Sequence, residues 1–199
     1  VDADLFIVDD GAGGTNRKVA ASRLKTYASG GDLVLINMTD EDISAAGLTW
    51  NGVFSSDYDY YRLMGTFDLD DDDAAIRLSF RWRNSSNAEQ TAASYNAIPN
   101  GWKKNSGTDE ALVYGQVNNS YINILNDVQA GVGSKVTLDM MLFPDAYGSS
   151  THSSLQWQAS NWVYNSGTEA FFAGTGGGTW VETTDLSGGG FQVECVTGT

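Results

Sequence analysis

The clearest signal in the chain is alternation. Ile76, Leu78, Phe80 and Trp82 share one side of an extended segment, and Arg77, Ser79, Arg81 and Arg83 share the other. That is the period-two pattern of a strand with one buried face. Tyr61, Leu63, Gly65 and Phe67 repeat it, as do Val136, Leu138, Met140 and Leu142. Leu155, Trp157 and Ala159 follow the same rule, and Phe191, Val193 and Cys195 close the chain with it. The unbroken apolar run Leu33-Val34-Leu35-Ile36 predicts a buried strand. Weaker strand patterns fall at 45–50, 112–117, 121–125, 169–173 and 179–183. Turn-forming clusters separate them: Asn84-Ser85-Ser86-Asn87, Asn100-Gly101, Asn105-Ser106-Gly107, Tyr147-Gly148-Ser149-Ser150, and the stretch from Gly174 to Gly178.

The first thirty residues read differently. Leu5-Phe6-Ile7-Val8 is a short apolar strand, and Gly11-Ala12-Gly13-Gly14 a flexible turn. Thr15 is placed to cap a helix from about 16 to 28, which Gly30-Gly31 would end. Val19, Leu24 and Tyr27 give this helix only a thin apolar stripe, beside Lys18, Arg23 and Lys25. A helix so short is marginal without a partner surface. The division expected is a connector over 1–31 and a β-sandwich domain over 32–199. The fold class expected is all-β, an antiparallel two-sheet sandwich of jelly-roll-like kind, with a short N-terminal strand and helix. A parallel βαβ arrangement lacks the helices it would need between strands.

Composition supports a folded β protein and narrows its partners. Of 199 residues, 41% are hydrophobic and 12% aromatic, with 23 glycines against 2 prolines. The formal net charge is −14, a field that repels nucleic-acid phosphates and anionic membrane surfaces. The one cysteine, Cys195, rules out an internal disulfide and lies on an apolar strand face, where it reads as a small buried hydrophobe. No apolar stretch approaches the roughly 18 residues of a membrane-spanning helix. The opening at Val1, without a visible secretion signal, is what a piece of a longer chain would show.

Two stretches carry a family likeness. The first is Asp4-Leu5-Phe6-Ile7-Val8-Asp9-Asp10 followed by Gly13-Gly14-Thr15-Asn16-Arg17-Lys18-Val19. The second runs in order through Leu33-Val34-Leu35-Ile36, Leu48-Thr49-Trp50-Asn51-Gly52-Val53, Ser56-Asp57-Tyr58-Asp59-Tyr60-Tyr61-Arg62-Leu63 and Asp73-Ala74-Ala75-Ile76-Arg77-Leu78-Ser79. It closes on Asp185-Leu186-Ser187-Gly188-Gly189-Gly190-Phe191. Together they resemble the connector and terminal β-sandwich module of bacteriophage tail fibres. The resemblance implies a virion structural protein, not an enzyme, needing no cofactor. Its expected partners are two further copies of itself in a homotrimer, other tail proteins, and a host surface receptor such as a glycan. The segment from Trp102 to Gly133 has no counterpart in that module, so host-specific surface is expected there.

Asp70, Asp71, Asp72 and Asp73 invite a calcium site, since calcium gathers six to eight oxygens. Consecutive side chains of an extended segment point to opposite faces, so the ordinary reading is a solvated turn between strands. Gly11 to Lys18 lacks the terminal Gly-Lys-Ser/Thr of a phosphate loop. His152 is the single histidine, in a Ser/Thr-rich loop without a nucleophile nearby, and reads as exposed. No two acids among 25 stand out as a glycosidase pair. Trp82 and Trp157 fall on core faces. Trp102, Tyr147, Trp162 and Tyr164 lie in or beside turn-rich segments, and as exposed rings near amides and hydroxyls they are the candidate receptor-binding residues. Packing in the sandwich or at a subunit interface is the competing account of the same rings.

Overall fold

The computed structural model describes residues 5–8, 17–20, 34–40, 43, 47–68, 76–105, 108–113, 115–128, 135–144, 152–165, 168–182 and 184–197. The chain divides into two compact units, Val1–Met38 and Thr39–Thr199.

In the first unit, β1 (Leu5–Val8) pairs antiparallel with β2 (Arg17–Ala20), Leu5 opposite Ala20 and Val8 opposite Arg17. The helix expected from 16 to 28 is therefore corrected at Arg17–Ala20, which is a strand; residues 21–28 lie outside the described residues. The physical reason is the thin apolar stripe. A marginal helix loses to backbone pairing with an apolar strand. The buried strand expected at Leu33–Ile36 is also corrected. Val34, Leu35 and Ile36 are irregular and exposed, Leu35 to 77%, and pair with no strand among the described residues.

The second unit is built from β3 (Leu48–Trp50), β4 (Tyr61–Asp68), β5 (Ile76–Arg83), β6 (Tyr95–Asn105), β7 (Thr108–Val113), β8 (Gln116–Asn119), β9 (Ile122–Val128), β10 (Lys135–Phe143), β11 (Ser153–Asn165), β12 (Thr168–Trp180) and β13 (Gly190–Thr197). Two antiparallel sheets pack face to face. The larger runs β4-β10-β11-β12-β6-β7, with β8 also on β6, and the smaller runs β3-β13-β5-β9. The alternating residues do what their period predicts. Val136, Leu138, Met140 and Leu142 from β10 meet Leu78, Phe80 and Trp82 from β5 in one core, with Val193 and Cys195 from β13. Cys195 is buried, its Sγ 3.6 Å from the Ile43 carbonyl oxygen. Aromatics fill one region of the core. Trp50 stacks on Phe191 at 4.8 Å, and Phe80 meets Trp82 edge-on at the same separation.

Two expected turns are strand interior. Gly174–Gly178 lies inside β12, and Asn100-Gly101 inside β6. In β12 the cause is close approach. Gly176 stands directly opposite Trp157 of β11, where a Cβ would come within 2.2 Å of the indole, and a Cβ at Gly178 would come within 2.7 Å of Ile122. The missing side chains let Trp157 lie flat over β12 and donate from Nε1 to the Ile124 carbonyl, 3.0 Å away on the other sheet. By contrast the Asn84–Asn87 turn is as expected: Asn84 Oδ1 accepts from the amides of Ser86 and Ala88, and Asn87 adopts φ 60°.

The outward arginines of β5 are not simply solvated. Arg81 is paired with Glu194 and Glu89 and donates from Nε to the Ser120 carbonyl at 3.1 Å. Arg83 donates to Gln192 at 2.6 Å and to Asn51 at 2.9 Å. These bonds fasten the surrounding loops to the outer face of the smaller sheet.

Candidate functional site

The outer face of the larger sheet is where exposed rings gather. Strand register sets it out in rows, since directly opposed residues share a face. One row reads Asp68, Lys135, Trp162, Phe171 and Lys104 across β4, β10, β11, β12 and β6. The next reads Thr66, Thr137, Ser160, Ala173 and Trp102. A third reads Met64, Asp139, Gln158, Thr175 and Asn100. Along β12 the outward residues after Phe171 are Ala173, Thr175 and Gly177, all small. Larger side chains on the adjacent β6 and β11, and on β10 beyond, border them, and the sheet is hollowed there into a cleft of about 600 Å³. That volume is in the usual range of ligand sites, about 300–1,000 Å³.

Trp102 (63% exposed) and Phe171 (39%) line the cleft, and Trp162 (53%) lies against Phe171 with ring centroids 6.1 Å apart. By register Trp102 is the diagonal neighbour of Phe171, close enough for large rings to act together. The polar lining comes from Asn100, Thr137, Gln158, Ser160 and Thr175. Thr137 and Ser160 share a hydroxyl–hydroxyl bond of 2.5 Å. Asp139 completes the lining. It takes a two-pronged bond from Arg62 of β4, Nε to Oδ1 at 2.8 Å and Nη2 to Oδ2 at 2.5 Å. The hydrogen bond from Arg62, helped by its charge, holds the Asp139 carboxyl below the usual carboxylate range.

Of the four aromatic candidates, two are brought onto this face. Trp102 and Trp162 are both mid-strand and exposed, rather than in turns. Tyr164 follows two residues after Trp162 on β11, but its side chain lies outside what is described, and Tyr147 lies outside the described residues altogether. The aspartates Asp70, Asp71, Asp72 and Asp73 also lie outside them. Among the described residues no group of three or more His, Cys, Asp or Glu is placed to hold a metal ion. His152 is exposed just before β11. Trp82 and Trp157 are core residues, as their strand faces predict.

Sequence reasoning missed Phe171, Gln158 and Asp139. The usable signal was the outward series Phe171-Ala173-Thr175-Gly177, one ring followed by three small residues at strand period. The chain matches no family model, no curated protein and no solved structure.

Proposed function

We propose that the Thr39–Thr199 unit is a non-enzymatic attachment module that binds a glycan on the outer face of its larger sheet, as the distal part of a bacteriophage tail fibre. One observation carries the binding reading: Trp102 and Phe171 stand at a cleft whose polar side chains are amides, hydroxyls and one carboxylate, set among small and apolar residues. A sugar ring offers a flat C–H face for stacking and a rim of hydroxyls for hydrogen bonding, and this lining answers both. The non-enzymatic reading rests on the resemblance of the sequence motifs to a structural virion module. Host attachment, a place in the virion and assembly as a homotrimer are supported by the ordered sequence motifs of the first unit and the sandwich. A jelly-roll-like winding is supported by the chain's repeated passage between sheets, β3 to β4 to β5 to β6 and again β9 to β10 and β12 to β13.

The test is titration calorimetry of the chain against oligosaccharides and intact host cells, with the W102A variant beside it. Truncating a stacking ring is expected to weaken binding by about tenfold or more, with the melting temperature unchanged. Saccharide binding indifferent to W102A would reject the site. Incubation with host polysaccharide is expected to release no new reducing ends; their release would favour a glycan-degrading tailspike.

A second reading has its own observation. Ile98, Val113 and Val117 lie 69%, 66% and 74% exposed on β6, β7 and β8 beside the cleft. Clustered exposed aliphatics mark contacts between proteins. A purely structural trimerising or capsid-decoration role would use this strip and leave the cleft idle.

A further inference from the structure

Resting on the glycan-binding reading, we infer that the cleft takes an uncharged oligosaccharide, with Asp139 as its hydroxyl acceptor and Arg62 as the residue that positions that acceptor.

The charge balance of the lining carries this. Asn100, Thr137, Gln158, Ser160 and Thr175 are neutral, and the single carboxylate is matched by the guanidinium bonded to it. The lining thus presents donors and acceptors with no excess charge. An acidic sugar would meet Asp139 at close range and a protein of net charge −14 at long range. Two cations lie at the aromatic end. Lys135 is bonded to Asp68 at 2.5 Å, and Lys104 is exposed across from Phe171. With Arg62 held on Asp139, they are the cations left for an acidic ligand to approach, so they define the rival outcome.

The geometry of the pair gives Asp139 its role. Both carboxylate oxygens receive one bond from Arg62, and each keeps a further lone pair. The side chain remains 38% exposed, so those lone pairs are within reach of a ligand. A carboxylate already fixed in direction accepts a sugar hydroxyl without ordering itself first. Of the groups facing it, Arg62 comes from β4, Gln158 from β11, and Thr137 from its own strand; only Arg62 is charged. Arg62 also keeps the acceptor ionised in acid, because it depresses the carboxyl's titration.

The experiment is calorimetry of the whole chain with linear glucose-, mannose- and galactose-based oligosaccharides and with oligogalacturonate, from pH 3.5 to 7.5, at low and high salt. Binding to at least one neutral series is expected, insensitive to salt, with oligogalacturonate silent. D139N is expected to lose about tenfold or more, the scale of a hydrogen bond to a charged acceptor. In R62Q the acid limb of neutral-sugar binding should move to higher pH while the melting temperature at pH 7 stays put, a shift that a merely structural arginine would not produce. Salt-sensitive oligogalacturonate binding that K104Q abolishes would overturn the neutral-ligand inference while leaving a glycan site standing. Unchanged neutral-sugar binding in D139N would overturn the role of Asp139. Silence toward every saccharide would overturn the glycan reading itself, and this inference with it.

Discussion

Glu194 is an acid where water hardly reaches. Its side chain is 8% exposed, bonded to Arg81, to Gln192 at 3.0 Å, and 3.5 Å from the Ser79 hydroxyl. Burial pushes its carboxyl up; Arg81 pulls it back, Glu89 adds to the rise, and desolvation wins. The raised value means the folded chain holds this proton longer than the unfolded chain does. The associated stability is present below the ordinary glutamate value, about 4.3, and is lost as pH climbs through the raised one. E194Q, which never ionises, escapes that loss. Melting curves of the two proteins from pH 4 to 8 should show the variant gaining on its parent as pH rises. A gap that stays flat, or closes in the other direction, would reject a desolvated Glu194. None of this was legible in sequence. Glu194 and Arg81 both occupy outward positions of strands with one apolar face, and period two assigns such residues to solvent; only the loops folded over that face remove them from it.

At the scale of elements, legibility followed the contrast between strand faces. β4, β5, β10, β11 and β13 were readable because apolar and polar residues alternate over five or more positions. β6 was not, and β12 was read only at its two ends, with a turn expected at its glycine-rich centre. β6 holds Pro99 and Asn100-Gly101 in its interior, residues that ordinarily break strands. Pro99 is tolerated where β6 changes neighbours, after Ala97 pairs with β8 and before Asn100 pairs with β7. β12 hides its inward face because glycine stands where an apolar residue would signal it, the opposing Trp157 and Ile122 supplying the bulk from across the gap. That account is testable on β12 itself. G176A should cost about 1–3 kcal/mol, as overpacking does when a buried ring must move. Urea unfolding measures it, and a neutral or stabilising outcome would mean Trp157 has slack that the fold does not suggest.

For the whole molecule, the two-sheet architecture could be read from sequence, but the cleft could only be half read. Trp102 and Trp162 were recognisable as rings near polar residues. That they share a face with Phe171, Gln158 and Asp139 depends on the register of strands far apart in sequence, which no local pattern encodes. Assembly is likewise a property of the whole. Light scattering on a size-exclusion column should give a mass near three times 21.3 kDa if the tail-fibre reading holds. A trimer that falls apart when Val113 and Val117 are made polar, with sugar binding retained, would put the contact between copies on the aliphatic strip and leave the cleft free. A stable monomer would count against the homotrimer. Either way, the alternation that builds the larger sheet has an evolutionary consequence. Gln158 faces out between Trp157 and Ala159 facing in, and Thr175 faces out between Gly174 and Gly176. Specificity and folding are thus written on alternate letters of the same strands. A lineage under pressure to recognise a new surface can rewrite the outward letters one at a time while the inward ones, and the fold they hold, stay untouched.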